Sequence, residues 1–383
     1  MDKVHSTLKG DSAVVTKNSF IETWVSPFPK NKEYQQSELG NFEMEQLGKR
    51  FYQRFKKLVD VYKDYVSVFT TSKQRTIESY SSFIKGWMAE NVTLQQLSYG
   101  TNGEILRYYD YCDKYKIQIE DNKQTLTEEG KFLNGDEMTA VTVKVRQKLG
   151  TTSVTADDVV TIQQICAFEL GMFNTSDWCS LFDMEDLEVI DYLIDIRNYW
   201  EMGYAYDINW SMSCRFTETR LFDLFEKVIE NEDSGPASRN YHTMNLNFAH
   251  TDTILPLYAA FGLFNDSHPF LASDYITNRN RKFRTSLIGP FSANLGFGLY
   301  RCTMYDEHVV KAFVNEEPVD IPQCGGNSEP CLYKDFVENY KHLADCDFEQ
   351  LCSVKPSSSV PLLSDKLFIL IATCLALFLV LLQ

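Results

Sequence analysis

The 383 residues, 44% hydrophobic and 14% aromatic, can bury a sizeable core and exceed one simple domain, so one large domain with an insertion, or two, is expected. Thirty-seven basic against 53 acidic residues leave a formal charge of -16, which argues against a nucleic-acid surface and against non-specific attraction to anionic membranes. A polyanionic ligand would need a locally basic pocket.

In chain order, Met1 to Lys17 is polar and lacks the apolar run of a secretory signal. Met44, Leu47, Phe51, Phe55 and Leu58 then recur at spacings of three and four, with Lys49, Arg50, Lys56 and Lys57 between them, the pattern of an amphipathic helix. Tyr65 to Thr70 alternates and is rich in β-formers. Ser72 to Arg75 leads from it into an apolar-periodic stretch through Phe83 and Trp87, so strand, loop and helix are expected. From about Leu126 to Val228 strand signals are sparse, and Leu187, Ile190, Leu193, Ile194 and Tyr199 fall close to helical spacing. Alternation returns at Met244 to Phe248, followed by His250, Asp252 and an apolar helical stretch, Ile254 to Phe264, despite Pro256. Strands are expected again at Leu295 to Tyr300 and Val309 to Val314. The class is α/β at both ends of the chain with a helical insertion between them. The sequence holds no internal repeat, no P-loop and no G-x-G-x-x-G.

Leu367 to Leu382 is an uninterrupted apolar or small-residue run behind Asp365 and Lys366, short for a full membrane span. With Ser357-Ser358-Ser359 and the spacer upstream it has the layout of a glycosylphosphatidylinositol attachment signal. A tail anchor and a buried helix are the alternatives. Setting aside Cys374 in that run, nine cysteines remain without C-x-x-C metal spacing, which favours an oxidised framework with one unpaired member. Two local disulfides, Cys324–Cys331 and Cys346–Cys352, are expected from their short separations. Sequons at Asn91, Asn174, Asn209 and Asn265 point the same way, toward a lumenal or cell-surface product. The expected reconciliation with the polar start is an upstream segment, carrying a signal peptide and one more cysteine, that is absent from these residues.

Two strand-to-helix junctions gather the residues with chemistry, because open α/β sheets collect ligands beyond the C-terminal ends of their strands. One carries Arg75, whose planar guanidinium suits phosphate oxygens but which serves equally as an ion-paired residue at a helix start. The other carries His250, a possible donor to phosphate or a satisfied sheet-end histidine. It also carries Asp252, either a general acid toward a leaving alkoxide when a neighbouring anion keeps it protonated, or a helix cap.

Thr71-Ser72-Lys73-Gln74-Arg75-Thr76-Ile77-Glu78-Ser79, closing with Phe83 and Gly86, resembles the second phosphate-arginine motif of the histidine acid phosphatases. Phe248-Ala249-His250-Thr251-Asp252-Thr253-Ile254-Leu255-Pro256-Leu257 is similar to the proton-donor motif of their multiple inositol polyphosphate phosphatase branch, with Asp252 where that branch usually has Glu. Cys166 to Glu169, Asp177 to Phe182, Gly203 to Asn209 and Arg281 to Asn294 extend the likeness from Ser19 to Cys352. The resemblance implies a histidine-acid-phosphatase (phosphoglycerate-mutase-like) core over 19–110 and 236–352, a mainly helical insertion over 111–235, a linker over 353–366 and a hydrophobic tail over 367–383. It implies Arg75 and His250 as phosphate ligands, Asp252 as proton donor, no metal or organic cofactor, and inositol polyphosphates and 2,3-bisphosphoglycerate as substrates. Arg281, Lys282 and Arg284 would add positive charge for a highly phosphorylated ring, or be ordinary surface residues.

The family's R-H-G-x-R-x-P motif, which supplies the phosphohistidine nucleophile on the first core strand, should precede Met44. None of the six histidines, His5, His242, His250, His268, His308 and His342, is followed by glycine, so that strand and nucleophile are expected to be missing. The residues are therefore compatible with a shortened form of an active phosphatase, or with a catalytically inactive, membrane-anchored inositol-polyphosphate binder.

Overall fold

A computed structural model describes residues 1–354 apart from 29, 33, 63–64, 89–97, 233–240, 305 and 326–328. The expected amphipathic helix runs over Glu38–Tyr62 and packs lengthwise on a second helix, Gln74–Met88. Two glycines permit their approach. A Cβ at Gly48 would strike the Phe83 carbonyl, and one at Gly86 the Glu45 carbonyl. Gly86 thus sets how closely the helix bearing Arg75 is held.

Beneath this pair lie three strands, β1 (Val66–Thr70), β2 (Ser98–Thr101) and β3 (Met244–Phe248), in the order β2-β1-β3 and parallel throughout. Val66 and Val68 of β1 point into one cluster with Met44, Leu47, Phe83 and Trp87, while the alternate Ser67 faces Asn245 on the other side of the sheet. A second sheet, β4 (Leu295–Cys302), β5 (Glu307–Val314), β6 (Glu317–Val319) and β7 (Cys331–Leu332), is antiparallel around β5. Among the described residues β3 pairs only with β1 and β4 only with β5, so each presents one open side.

The helix after β3 spans Thr251–Ala260, three residues earlier at its start and four earlier at its end than the apolar stretch predicts. His250 lies in extended conformation as its N-cap, and the chain leaves the helix through Gly262 at φ +68°.

Most of the remaining helices, with β5 and the helix Thr251–Ala260, contribute to the main apolar cluster, which is built on Asp136–Leu149, Ala156–Phe173 and Met184–Met202. The polar-looking N-terminus belongs to it. Val4, Leu8, Val14 and Ile21 are buried in the same cluster, from helices Asp2–Lys9, Ser12–Lys17 and Phe20–Thr23. This segment also caps the helix Asp136–Leu149. Of its last four carbonyls, Gln147 accepts from Lys17 Nζ (2.5 Å), Lys148 and Leu149 accept from Asn18 Nδ2 (3.3 and 3.2 Å), and Arg146 accepts from Gly150 N (2.8 Å).

Four disulfides are formed, Cys112–Cys352, Cys166–Cys179, Cys214–Cys346 and Cys324–Cys331, and Cys302 is unpaired among the described residues. Cys324–Cys331 matches expectation. Cys346–Cys352 does not: Cys346, before the short helix Phe348–Cys352, pairs with Cys214, and Cys352, at the end of that helix, pairs with Cys112, both partners far away in sequence. Such a framework suits an oxidising compartment, the secretory lumen or the cell exterior. Cys112–Cys352 closes a separation of 240 residues. Cys112→Ser is expected to cost roughly 3–5 kcal/mol, read as a lower urea midpoint, while Cys324→Ser, which opens a much shorter loop, costs less. Non-reducing peptide mapping that joins Cys346 to Cys352 would contradict the assignment.

Of the sequons, Asn174 and Asn265 are exposed, but Asn209 is fully buried and donates to the Trp200 and Gly203 carbonyls (3.0 and 3.3 Å), so the folded chain offers no acceptor there. Asn91 lies outside the described residues, as does the apolar run 367–383. No helix among the described residues is long and apolar enough to cross a membrane.

Candidate functional site

The three parallel strands deliver their following segments to one sheet edge. After β1, Thr71 Oγ1 accepts from Lys73 N (3.3 Å), a local turn that starts the helix carrying Arg75. After β3, His250 reaches back across that edge. Arg75 Nη2 lies 3.1 Å from His250 Nδ1, and Thr71 Oγ1 lies 3.0 Å from His250 Nε2.

Donor chemistry fixes the roles. A guanidinium only donates, so Nδ1 is the acceptor and Nε2 carries the ring proton, which it donates to Thr71 Oγ1. Thr76 Oγ1 donates to the Lys73 carbonyl (2.8 Å) and accepts from Thr71 Oγ1 (2.8 Å), which completes the chain. Burial, then the positive charges of Arg75, Arg107 and Lys73, pushes the His250 imidazolium down to about 4. The ring is therefore neutral at physiological pH. In this form both nitrogens are engaged: an anion that takes the place of Arg75 at Nδ1 gains a bond from the ring only if that nitrogen takes up a proton, whereas one that displaces Thr71 accepts from the neutral ring's Nε2–H.

Because the folded value lies below the ordinary histidine value, the unfolded chain binds the extra proton first, and the contribution of His250 to stability is complete above about 6.5 and lost as pH falls toward 4. NMR titration is expected to place His250 near 4. Arg75→Ala should move it part of the way back, since burial is the larger cause and persists. A His250 titrating at an ordinary 6.5 in the wild type would contradict this.

Asp252 is exposed in the first turn of the helix Thr251–Ala260 and makes no hydrogen bond among the described residues. The alternative reading of Asp252 as the helix cap does not hold: His250 takes the N-cap position, and its backbone N–H donates to Thr253 Oγ1 (3.4 Å). The Asp252 carboxylate is left facing solvent beside His250. Two helix N-termini and the positive charges of Arg75, Arg107 and Lys73 thus act on a neutral histidine.

Arg281, Lys282 and Arg284 sit differently. Arg281, its side chain 2% exposed, donates to Asp195 (2.5 Å) and Asp191 (2.9 Å), and Arg284 donates to Asp191 (2.6 Å). Asp195 also accepts from Thr285 N and Oγ1 (2.8 and 2.6 Å); burial lifts its carboxyl to about 7, against the pull of Arg281 and those donors. Lys282 is exposed, and its backbone N–H donates to Asp266. The cations that act on His250 are Arg75, Arg107 and Lys73. Arg107 had no sequence signal as a site residue, because the four-residue β2 that precedes it does not alternate. A metal-holding cluster of His, Cys, Asp or Glu is not found among the described residues.

An arginine and a histidine thus meet at the C-terminal edge of a parallel sheet in an α/β fold. The family model of the histidine phosphatase superfamily (branch 2) matches residues 4–315, and the chain belongs to that superfamily. Within it the similarity is to the multiple inositol polyphosphate phosphatases. The chain is 34% identical over 324 residues to multiple inositol polyphosphate phosphatase 1 of Gallus gallus, covering 82% of this chain and 71% of that one. It is 30% identical to the Homo sapiens protein of the same name, covering 86% and 70%. In fold it matches the phytase from D. castellii with a TM-score of 0.70 at 17% identity, over 95% of this chain and 80% of that one. It also matches the Bifidobacterium longum multiple inositol polyphosphate phosphatase bound to inositol hexasulfate, with a TM-score of 0.64 at 16% identity, over 83% and 82%.

Proposed function

We propose that the chain binds inositol polyphosphates at the Arg75–His250–Asp252 cluster and carries the phosphate-clamping and proton-donating half of a phosphomonoesterase of the inositol polyphosphate, or phytase, type. The observation that carries this is the Arg75–His250 contact of 3.1 Å across adjacent parallel strands, with the exposed Asp252 two residues further on. Arg75 and a protonated His250 clamp phosphoryl oxygens, and Asp252 hands its proton to the departing ring alkoxide. The relatives support the substrate class, since their names place inositol polyphosphates among what they act on.

None of the six histidines stands in R-H-G-x-R-x-P, so within these 383 residues the phosphohistidine step has no nucleophile. The chain as it stands is accordingly a binder with little or no turnover. Arg281 and Arg284, bound by Asp191 and Asp195, fit a structural role better than a substrate one, and Lys282 alone of the three has a free ammonium at the surface. Membrane attachment through the 367–383 segment, and passage through the secretory pathway, belong to the same reading. The test is phosphate release from inositol hexakisphosphate by the chain with and without an added R-H-G-x-R-x-P segment.

A further inference from the structure

The segment after β2 is bound to the turn that carries His250 and Asp252. Asn102 N donates to the Thr70 carbonyl (2.9 Å) and Asn102 Oδ1 accepts from Ile105 N (3.0 Å), which turns the chain back over the sheet edge. Arg107 is then flanked by two bonds to one residue. Thr253 Oγ1 donates to the Leu106 carbonyl (2.7 Å), and Tyr108 OH donates to the Thr253 carbonyl (2.8 Å). Thr253 directly follows Asp252, and its hydroxyl also accepts from His250 N (3.4 Å). Leu106 and Tyr108 are fully buried, so the backbone of Arg107 is fixed beside the turn from His250 to Thr253.

Its side chain, by contrast, is lightly held. The side chain is 24% exposed, and its guanidinium donates to Asp110, whose side chain is 37% exposed, at 2.7 Å, and to Tyr109 OH at 3.4 Å. A partly exposed pair of this kind is worth on the order of 1 kcal/mol, small enough to exchange for a better anion. The charge of Arg107 acts on both His250 and Asp252.

We propose that Arg107 is a substrate-binding residue that leaves Asp110 to take a second phosphate group of a polyphosphorylated ring while Arg75 and His250 hold the first. This rests on reading the site as one for inositol polyphosphates. A ligand with a single phosphate has no group for Arg107, so the residue selects for multiply phosphorylated rings.

Titration calorimetry on the full chain, with inositol hexakisphosphate and with inorganic phosphate at one fixed salt concentration, tests it. Arg107→Ala is expected to weaken hexakisphosphate binding about tenfold or more while leaving inorganic phosphate within about twofold, with Arg107→Lys intermediate. Asp110→Asn, which frees the guanidinium, should tighten hexakisphosphate binding. If Arg107→Ala leaves hexakisphosphate affinity unchanged while Arg75→Ala lowers it, the proposal fails and the reading of the site stands. If Arg107→Ala and Asp110→Asn weaken binding alike, Arg107 is only the structural partner of Asp110 and the proposal also fails. A wild type that does not bind hexakisphosphate, or an Arg75→Ala variant that binds it as well as the wild type, overturns the reading of the site and this proposal with it.

Discussion

Given inositol hexakisphosphate, the 383-residue chain is expected to release phosphate at no more than a trace of the rate of the same chain supplied with an R-H-G-x-R-x-P segment. The expectation comes from counting which interactions with the transferring phosphoryl group remain. On the proposed reading Arg75 and His250 clamp its oxygens and Asp252 protonates the leaving oxygen, but none of the six histidines stands in the nucleophile motif. In hydrolases that use a covalent nucleophile, removing it costs on the order of 10⁶ in kcat, far more than the loss of one clamping donor. In the supplemented chain, Arg75→Ala should then lower kcat by about 10² to 10³, since it removes a charged donor from the transition state and also releases His250 from its hydrogen bond. Asp252→Asn should slow hydrolysis of alkyl phosphates such as the inositol ring much more than that of an activated aryl phosphate, whose leaving group needs little protonation. Hydrolysis by the unsupplemented chain at the supplemented rate would show that another group serves as nucleophile.

The parts of the fold legible in the sequence were those with a strong period. The helix Glu38–Tyr62, the strand β1 and the helix Met184–Met202 each lie within a few residues of where apolar spacing puts them. The short strands β2, β6 and β7 were not legible, because four, three and two residues cannot display alternation; their pairing is imposed by β1 and β5. With β2 unseen, Arg107 could not be placed at the sheet edge. The N-terminal helices were hidden for a different reason. Val4, Leu8 and Val14 are widely spaced in a polar segment, and only burial against the helices Asp136–Leu149 and Ala156–Phe173 makes them core. The meeting of Arg75 with His250, 175 residues apart, was anticipated from the motifs and from the rule that parallel strands gather ligands at one edge. The partners of Arg281 and Cys352 depend on long-range packing that no local spacing encodes.

Asp195→Ala is expected to destabilise the chain by about 3–5 kcal/mol, seen as a lower urea midpoint, through what it leaves behind rather than through the contact it removes. Arg281, with 2% of its side chain exposed, would keep Asp191 as its acceptor but lose the shorter bond, and Thr285 N and Oγ1 would lose their common acceptor. Arg281→Met removes the guanidinium that holds the buried Asp195 carboxyl down, so that group, already lifted to about 7 by burial, takes up a proton near neutral pH, and a smaller loss than for Asp195→Ala is expected. The double variant Asp195→Leu/Arg281→Met leaves neither charge stranded, so its cost should fall at least about 1 kcal/mol short of the sum of the two single costs. The network also supports the site at one remove. Thr285 opens the short helix Thr285–Ile288, and the Ile288 carbonyl accepts from Tyr258 OH (2.9 Å) on the helix that begins beside Asp252. Folded Arg281→Met should nonetheless bind inositol hexakisphosphate as the wild type does, since its guanidinium is committed to Asp191 and Asp195. The opposite result, wild-type stability with lost affinity, would return Arg281 to the list of phosphate-binding residues and show that the ion pair opens to admit the ligand.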